Sequence, residues 1–373
     1  MRDWCLYWDG YGLDAPNSGI FVHARNLASA LGELGIKPIL VGNDRSRDLF
    51  ADLQSLSPVL RASERFVARR SKLGWSSGVG RAIVRHQHGK SGRVLVHGLS
   101  NFNIPRSTPA HWRRILTIHD LIPFLAPKLV SRALLWQLRW LLPKAIAQAD
   151  RIICVSEWTR QTLLRWKPEC AEKVVVIPNG VAGPNVARRH ARMSMFGGRI
   201  ELLFVGRFEP YKGHHWLVEW LQQTSLPLRL TVITDERGRA FWQRHAPKLL
   251  GEGKVKLLGN VFGDQLRDAY ESADIYVSPS QFEGFCLPAV EALAAGTPVV
   301  YRAGSGIDEV AGSSVSVPVL DHESVDAWDH AVNEALLKLN RNDFDDMVGA
   351  HLASLPTWKD AANRLVNLYN ELV

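Results

Sequence analysis

The chain has 373 residues, 46% hydrophobic and 22% charged, a length that exceeds one ordinary core and predicts two domains of about 150–190 residues in a globular protein. Its +8 charge is uneven: residues 1–187 hold 26 Lys and Arg against 13 Asp and Glu, and residues 188–373 hold 19 against 24, so the first half suits an anionic partner such as lipid headgroups, a phosphorylated acceptor or nucleic acid. Four cysteines (Cys5, Cys154, Cys170, Cys286) lack C-x-x-C spacing and argue against a zinc site or disulfide frame; with neither a charged leader nor an ~18-residue apolar run, a cytoplasmic protein is expected.

Cys5–Trp8 reads as a first strand, followed by a loop rich in Gly, Asp, Pro and Asn. A helix from about Gly19 carries apolar residues at 20, 24, 27, 28, 31 and 34, the spacing of one helix face. Ile36–Val41 is the next strand, and this βαβ opening starts a doubly wound domain. Ser18-Gly19 stands where the first strand hands over to the first helix. A phosphate there would meet free amides and a residue without a side chain, although a loop glycine before a helix is ordinary. Residues 61–93, rich in Arg, Lys, Ser and Gly, read as helix, exposed loop, helix. His86 and His88 have no carboxylate or thiolate beside them, which points to a solvated basic face and not to a metal site.

Val94–His97 and Arg114–Ile118 read as strands, the second ending in His119-Asp120-Leu121-Ile122-Pro123. A His at the carboxyl end of a parallel strand points into the crevice where ligands sit; the plainer alternative is a buried imidazole bonded to backbone. Asp120 either orients that His or caps the next turn. Lys128–Asp150 reads as a cationic amphipathic helix with an apolar stripe of Leu134, Leu135, Leu138, Leu141 and Leu142. Trp136 and Trp140 lie one turn apart on a neighbouring face, and Pro143 is expected to kink or interrupt the helix. With Arg132, Arg139 and Lys144, it suits either a membrane surface or an oversized core face. Arg151–Ser156, Trp158–Trp166 and Val174–Ile177 continue the alternation into Pro178-Asn179-Gly180-Val181, and residues 181–194 are the expected linker.

The second half restarts with strand Glu201–Val205 and the loop Gly206-Arg207-Phe208-Glu209-Pro210-Tyr211-Lys212-Gly213, before helix His214–Gln223. An Arg fork and a Lys point charge on one loop suit a diphosphate leaving group. Strand Leu228–Thr234, helix Gly238–Leu250, strand Val255–Leu258, Gly259-Asn260-Val261 and helix Gly263–Ser272 follow. Strand Asp274–Ser278 then delivers the loop and helix of residues 278–296. Glu283 falls on the loop and Glu291 about one turn into a helix closed by Gly296, so both carboxylates can face one crevice. The amides of Gly284, Phe285, Cys286 and Leu287 lie near the helix start, where unpaired N–H groups attract phosphate. The bland alternative is one Glu favoured by the macrodipole and one solvated. Pro298–Tyr301 is a further strand, and the acidic run Asp343–Asp346 is expected to cap a helix.

Together these stretches resemble the retaining glycosyltransferases of family 4. The E-x7-E pair is Glu283 and Glu291, GRF-x-x-x-KG is Gly206–Gly213, and the HDL and PNGV segments follow their strands in the same order. The resemblance implies an α/β GT-B fold of two facing Rossmann-like domains with the active site in the cleft between them. It implies an acceptor domain over residues 1–185 and a donor domain over 186–355. A last helix over 356–373, with Trp358, Ala361, Leu365 and Tyr369 at family spacing, would pack back on the first domain.

It further implies metal-independent hexosyl transfer without a cofactor, with a donor site of Gly19, Gly206, Arg207, Lys212, Val261, Glu283, Gly284, Phe285, Cys286, Leu287 and Glu291. Glu291 would accept from the ribose and Glu283 from the sugar. Arg207 and Lys212 would meet the departing diphosphate, Val261 the base through its backbone, and His119 the sugar near the anomeric carbon. The HDLIP segment is most similar to bacterial mannosyltransferases of surface-polysaccharide assembly. GDP-mannose is therefore the first expected donor and a UDP-hexose the second, with a saccharide or lipid-linked saccharide acceptor at the inner membrane face. Family members often carry Gly where Cys286 stands, and the opening of the first helix lacks the common G-x-G-R-Y pattern. Two rival classes remain: a GT-B-fold nucleotide-sugar epimerase, and a nucleic-acid-binding protein, for which no binding motif is visible and no nucleic acid partner is expected.

Overall fold

The computed structural model describes residues 3–13, 18–42, 59–61, 72–105, 108–130, 132–181, 198–259 and 261–373. The expected linker beyond Val181, residues 62–71 of the basic segment and Asn260 lie outside the described residues. The chain forms two compact units: Met1–Leu125 with Ser131–Gly180 and Pro356–Val373, and Ala126–Val130 with Val181–Leu355.

The first unit is built on a wholly parallel sheet of β1 (Trp4–Asp9), β2 (Ile39–Gly42), β3 (Val59–Arg61), β4 (Arg93–Gly98), β5 (Arg113–Ile118), β6 (Arg151–Cys154) and β7 (Val174–Val176). Their order is β3-β2-β1-β4-β5-β6-β7. Strands covered on both faces read as continuous apolar runs, as Val94–Val96 and Ile152–Cys154 do. The register is fixed through β1 and β4, where Trp4 pairs with Arg93 and Asp9 with Gly98.

Helix α1 (Gly19–Glu33) begins where the Ser18 hydroxyl accepts the Phe21 amide at 3.1 Å. This is an N-cap bond that satisfies one otherwise unpaired donor. Its buried side, including Leu27 and Leu31, packs into a core shared with Ala361, Leu365 and Tyr369 of the last helix. The remaining helices of this unit are α2 (Lys72–Gln87), the single turn α3 (Ile122–Leu125), α4 (Arg132–Gln148) and α5 (Glu157–Trp166). Pro143 does not interrupt α4, which runs through it. The core side of α4 is Leu138, Leu142, Ala145 and Ile146, whereas Trp136 and Trp140 stay out of the core.

The second unit has a six-stranded parallel sheet of β8 (Ile200–Val205), β9 (Leu228–Ile233), β10 (Val255–Leu258), β11 (Ile275–Ser278), β12 (Val299–Arg302) and β13 (Val317–Val319). The order is β10-β9-β8-β11-β12-β13. Its helices are α6 (His214–Gln223), α7 (Glu236–His245), α8 (Pro247–Gly251), α9 (Asp264–Ser272), α10 (Leu287–Ala294), α11 (Asp308–Ala311), α12 (Val325–Leu339) and α13 (Phe344–Ser354).

Two expectations need correction here. The single helix over 238–250 is two, because Pro247 lacks an N–H and opens α8 instead of continuing α7. Asp343 sits at the first position before α13 but does not cap it, since its carboxylate forks onto Arg341 with two bonds of 2.8 Å. The last helix, α14 (Trp358–Leu372), belongs to the first unit and starts with a capping box between Thr357 and Asp360.

Candidate active site

In each sheet the strand order reverses once, between β1 and β4 in the first unit and between β8 and β11 in the second. Chain leaving neighbouring carboxyl ends there diverges and opens a crevice, the usual ligand position in doubly wound sheets.

At the second unit's reversal the loops after β8 and β11 are tied together. Lys212 Nζ donates to Glu283 Oε1 at 2.7 Å, and the Gln281 amide donates to the Tyr211 carbonyl at 2.7 Å. Gly213, at φ +81°, lies so close to Pro279 that a Cβ would come within 2.7 Å of its ring. Only glycine allows both that backbone conformation and that approach. Burial works to lower the Lys212 ammonium, but Glu283, with smaller help from Tyr211 and Cys286, holds it above the usual lysine range. It is therefore a fixed cation at neutral pH.

Arg207 differs. Its side chain is exposed and makes no ion pair among the described residues, while its carbonyl accepts from His214 Nε2 at 3.2 Å. Trp242 Nε1–H donates to His214 Nδ1 at 3.1 Å, which sets the tautomer. Burial pulls the His214 pKa down to about 4, so a neutral ring holds the backbone from which Arg207 projects. Gly206 continues the ladder through its amide to the Ile233 carbonyl.

The loop from Glu283 to Leu287 feeds α10. Cys286, the residue before the helix, has φ +74° and is the only non-glycine with positive φ among the described residues. A backbone held in that region favours Gly over any residue that carries a Cβ. Behind it, the Gly306 amide donates to the Glu283 carbonyl at 2.8 Å, and a Cβ on Gly306 would collide with the Gly284 carbonyl oxygen. Glu291, in α10, accepts from the Tyr270 hydroxyl at 2.8 Å. Burial raises the Glu291 carboxyl above its usual range, and the Tyr270 bond opposes that rise. Each glutamate thus has one oxygen engaged. Val261 lies past the end of the edge strand β10, two strands from β8, and among the described residues no hydrogen bond joins it to the cluster.

In the first unit, His119 follows β5 at a half-buried position. Its amide donates to Asn101 Oδ1 at 2.8 Å, and Asn101 Nδ2 donates to the Asp120 carbonyl at 2.9 Å. Nε2–H of His119 donates to the Leu99 carbonyl at 2.8 Å, which leaves Nδ1 as the bare nitrogen of a neutral ring. Burial lowers its pKa to about 4, against the Leu99 bond. His23 of α1 meets His119 edge-on, with centroids 4.9 Å apart. Its Nδ1–H donates to Asn179 Oδ1 at 2.7 Å, and its buried Nε2 has no partner among the described residues. Gly19 occupies the first position of α1, with Ser18 as its cap. Asp120 caps the following turn through the Ile122 amide at 3.1 Å.

The fold thus gathers Lys212, Glu283, Cys286 and Glu291 around one strand-order reversal, and His119 near α1 in the other unit. Sequence reasoning missed His23, Asn101, Asn179, His214 and Tyr270. A polar residue three positions after Ile20, on the buried side of α1, was the available sign of His23; the others depend on contacts made across the fold. Among the described residues, no group of three or more His, Cys, Asp and Glu is placed to hold a metal ion.

Two family models match the chain, Glycosyltransferase Family 4 over residues 17–182 and Glycosyl transferases group 1 over residues 189–345. The chain belongs to glycosyltransferase family 4. This glycosyltransferase is 25% identical over 290 residues to O-antigen chain mannosyltransferase B of Escherichia coli, covering 74% of each chain. It is also 25% identical over 299 residues to a Phosphatidylinositol N-acetylglucosaminyltransferase GPI3 subunit of Saccharomyces cerevisiae, covering 77% of this chain and 63% of that one, less than two thirds of its length. Among solved structures, Anabaena HepE in complex with UDP and glucose superposes with a TM-score of 0.74 at 17% identity, over 99% of this chain and 100% of that one. The fold is GT-B.

Proposed function

We propose that this glycosyltransferase is retaining and metal-independent and transfers a hexose from a nucleotide diphosphate sugar to a saccharide or lipid-linked saccharide. The observation that carries the reading is the joining of the GRF-x-x-x-KG and E-x7-E loops at one strand-order reversal, with Lys212 paired to Glu283 and Arg207 exposed on the first of these loops. The diphosphate would lie on Arg207, Lys212 and the amides from Gly284 to Leu287. Glu291 would offer its second oxygen to the ribose and Glu283 its second oxygen to the sugar. Val261 would meet the base, Gly206 would keep the backbone low beneath the phosphates, and Gly19 would meet phosphate or acceptor.

In the reaction, the bond from the anomeric carbon to the diphosphate oxygen breaks on the face where the acceptor oxygen bonds. The acceptor proton passes to a phosphate oxygen of the leaving group. Arg207 and Lys212 stabilise the charge developing there, an electrostatic contribution made without reorganisation. His119, kept neutral with a bare Nδ1, orients a sugar hydroxyl and is no acid at pH 7.

GDP-mannose is the favoured donor, supported by the mannosyltransferase relatives of Escherichia coli and Salmonella typhimurium. A UDP-hexose is the second reading, supported by HepE, which is seen with UDP-glucose. A thermal-shift panel of GDP, UDP, ADP and their sugar conjugates in EDTA tests this. A ligand at 100 times its Kd stabilises by about 2.7 kcal/mol. A GDP response directs the acceptor search to mannosyl transfer, a UDP response replaces that donor, and no response to any of them overturns the proposal.

A further inference from the structure

Helix α4 carries a row at i, i+4, i+8 and i+12 formed by Arg132, Trp136, Trp140 and Lys144, which places all four along one stripe. All four are exposed. Trp136 is 70% exposed and Trp140 39%, and both are among the few large apolar side chains left outside the cores of the described residues. The opposite side of the helix, Leu138, Leu142, Ala145 and Ile146, is packed into a core, so the stripe is not a second core face. Arg139 is exposed on the same side, and Arg132–Gln148 contains no Asp or Glu. Lys144 Nζ lies 3.4 Å from the Trp140 ring centroid, which keeps a cation on the indole face.

Indoles leave water readily only where an apolar medium meets a polar one, and they concentrate at the headgroup level of bilayers. Two of them bracketed by cations, on a helix without a single acid, fit a flat anionic surface of amphipathic molecules. Neither nucleic acid nor an acidic protein patch offers both the acyl boundary for the indoles and the charge for the cations. The basic balance of residues 1–187 adds long-range attraction to the same kind of surface. Among the described residues no helix is long and apolar enough to cross a membrane, so α4 would lie in the surface plane.

We infer that the Arg132–Trp136–Trp140–Lys144 stripe of α4 docks this protein on anionic lipid bilayers. The inference stands apart from the donor reading, since it concerns a face remote in sequence from the donor loops.

The test is cosedimentation of the full chain with vesicles of phosphatidylglycerol and phosphatidylcholine, and with vesicles of phosphatidylcholine alone. Binding is expected only to the anionic vesicles at about 0.15 M salt, with weakening near 1 M, where the screening length falls to about 3 Å. W136A/W140A should weaken it at least about tenfold through lost apolar burial. R132Q/R139Q should weaken it about 25-fold, at roughly fivefold for each cation near the surface. Both variants should keep the wild-type melting temperature and nucleotide response; if the Trp pair proves unfolded, the Arg pair carries the test. Equal binding to both vesicles, binding unchanged in a folded variant, or no binding overturns the inference. So does retention on DNA without vesicle binding, or a dimer in analytical ultracentrifugation that W136A/W140A converts to monomer.

Discussion

Arg207 and Lys212 come from one loop but are held differently, and that difference separates their substitutions. Lys212 is the partner of a buried carboxylate. Lys212→Met leaves Glu283 uncompensated, which should cost about 2–3 kcal/mol, below the full penalty for breaking a buried pair because Lys212 retains some exposure. Arg207 is exposed and makes no ion pair among the described residues, so Arg207→Ala should change stability by no more than about 0.5 kcal/mol. Its kcat/KM should still fall about 100-fold or more if it meets the leaving group. Chemical denaturation and steady-state rates on the two variants check the pair of outcomes. At Cys286 the usual order of small residues inverts. Gly should be at least as stable as Ala there, by up to about 1 kcal/mol, because positive φ penalises a Cβ. Melting curves of Cys286→Gly and Cys286→Ala measure it.

Strands and helices were largely legible in the sequence because a parallel sheet covered on both faces leaves unbroken apolar runs, and helices leave a period near 3.6. His214–Gln223 and Val255–Leu258 fall where periodicity puts them. The break at Pro247 was missed because the apolar period continues across it, and of the two outcomes expected at Pro143, a kink or an interruption, the interruption does not occur. The loops after β8 and β11 were visible in the sequence as strand-to-helix connections, whereas their lock was not. The Gly213–Pro279 contact and the Tyr211–Gln281 bond join segments about seventy residues apart, and nothing local announces them.

The return of α14 onto the first unit is what the family resemblance implied, while the bonds it makes there were not legible. Its Tyr369 hydroxyl lies 2.7 Å from His97 Nδ1 and 3.5 Å from Trp8 Nε1, so it bonds to side chains of the central strands β1 and β4. Tyr369→Phe should cost about 1–3 kcal/mol by leaving buried polar groups unpaired, read as a lowered denaturation midpoint.

The two units differ in what acid does to them. His23 and His97 are pulled to about 3 and His119 to about 4, chiefly by burial, and all three lie in the first unit. Each folded value lies below the unfolded value of about 6.5. As pH falls from about 6.5 to about 4, the unfolded chain therefore takes up protons that the folded chain refuses, and stability falls. Asp9, pushed up to about 6 by burial, works the other way over part of that range, one group against three. Among its described residues the second unit has one comparably displaced histidine, His214. Calorimetry between pH 7.5 and pH 5 should show the melting temperature fall by at least about 5 °C, with the first unit losing its structure first by hydrogen exchange. A melting temperature that rises or stays level would contradict the buried neutral ring states.

The claim on which the rest depends is that the second unit's joined loops hold the diphosphate of a sugar nucleotide. Isothermal titration of GDP and of UDP into the wild-type protein and into Arg207→Ala tests it directly. One nucleotide should bind the wild type, and Arg207→Ala, with its stability unchanged, should weaken that binding by about tenfold, on the order of one charge-assisted phosphate contact. Binding of equal strength in both proteins, or none in the wild type, would contradict it.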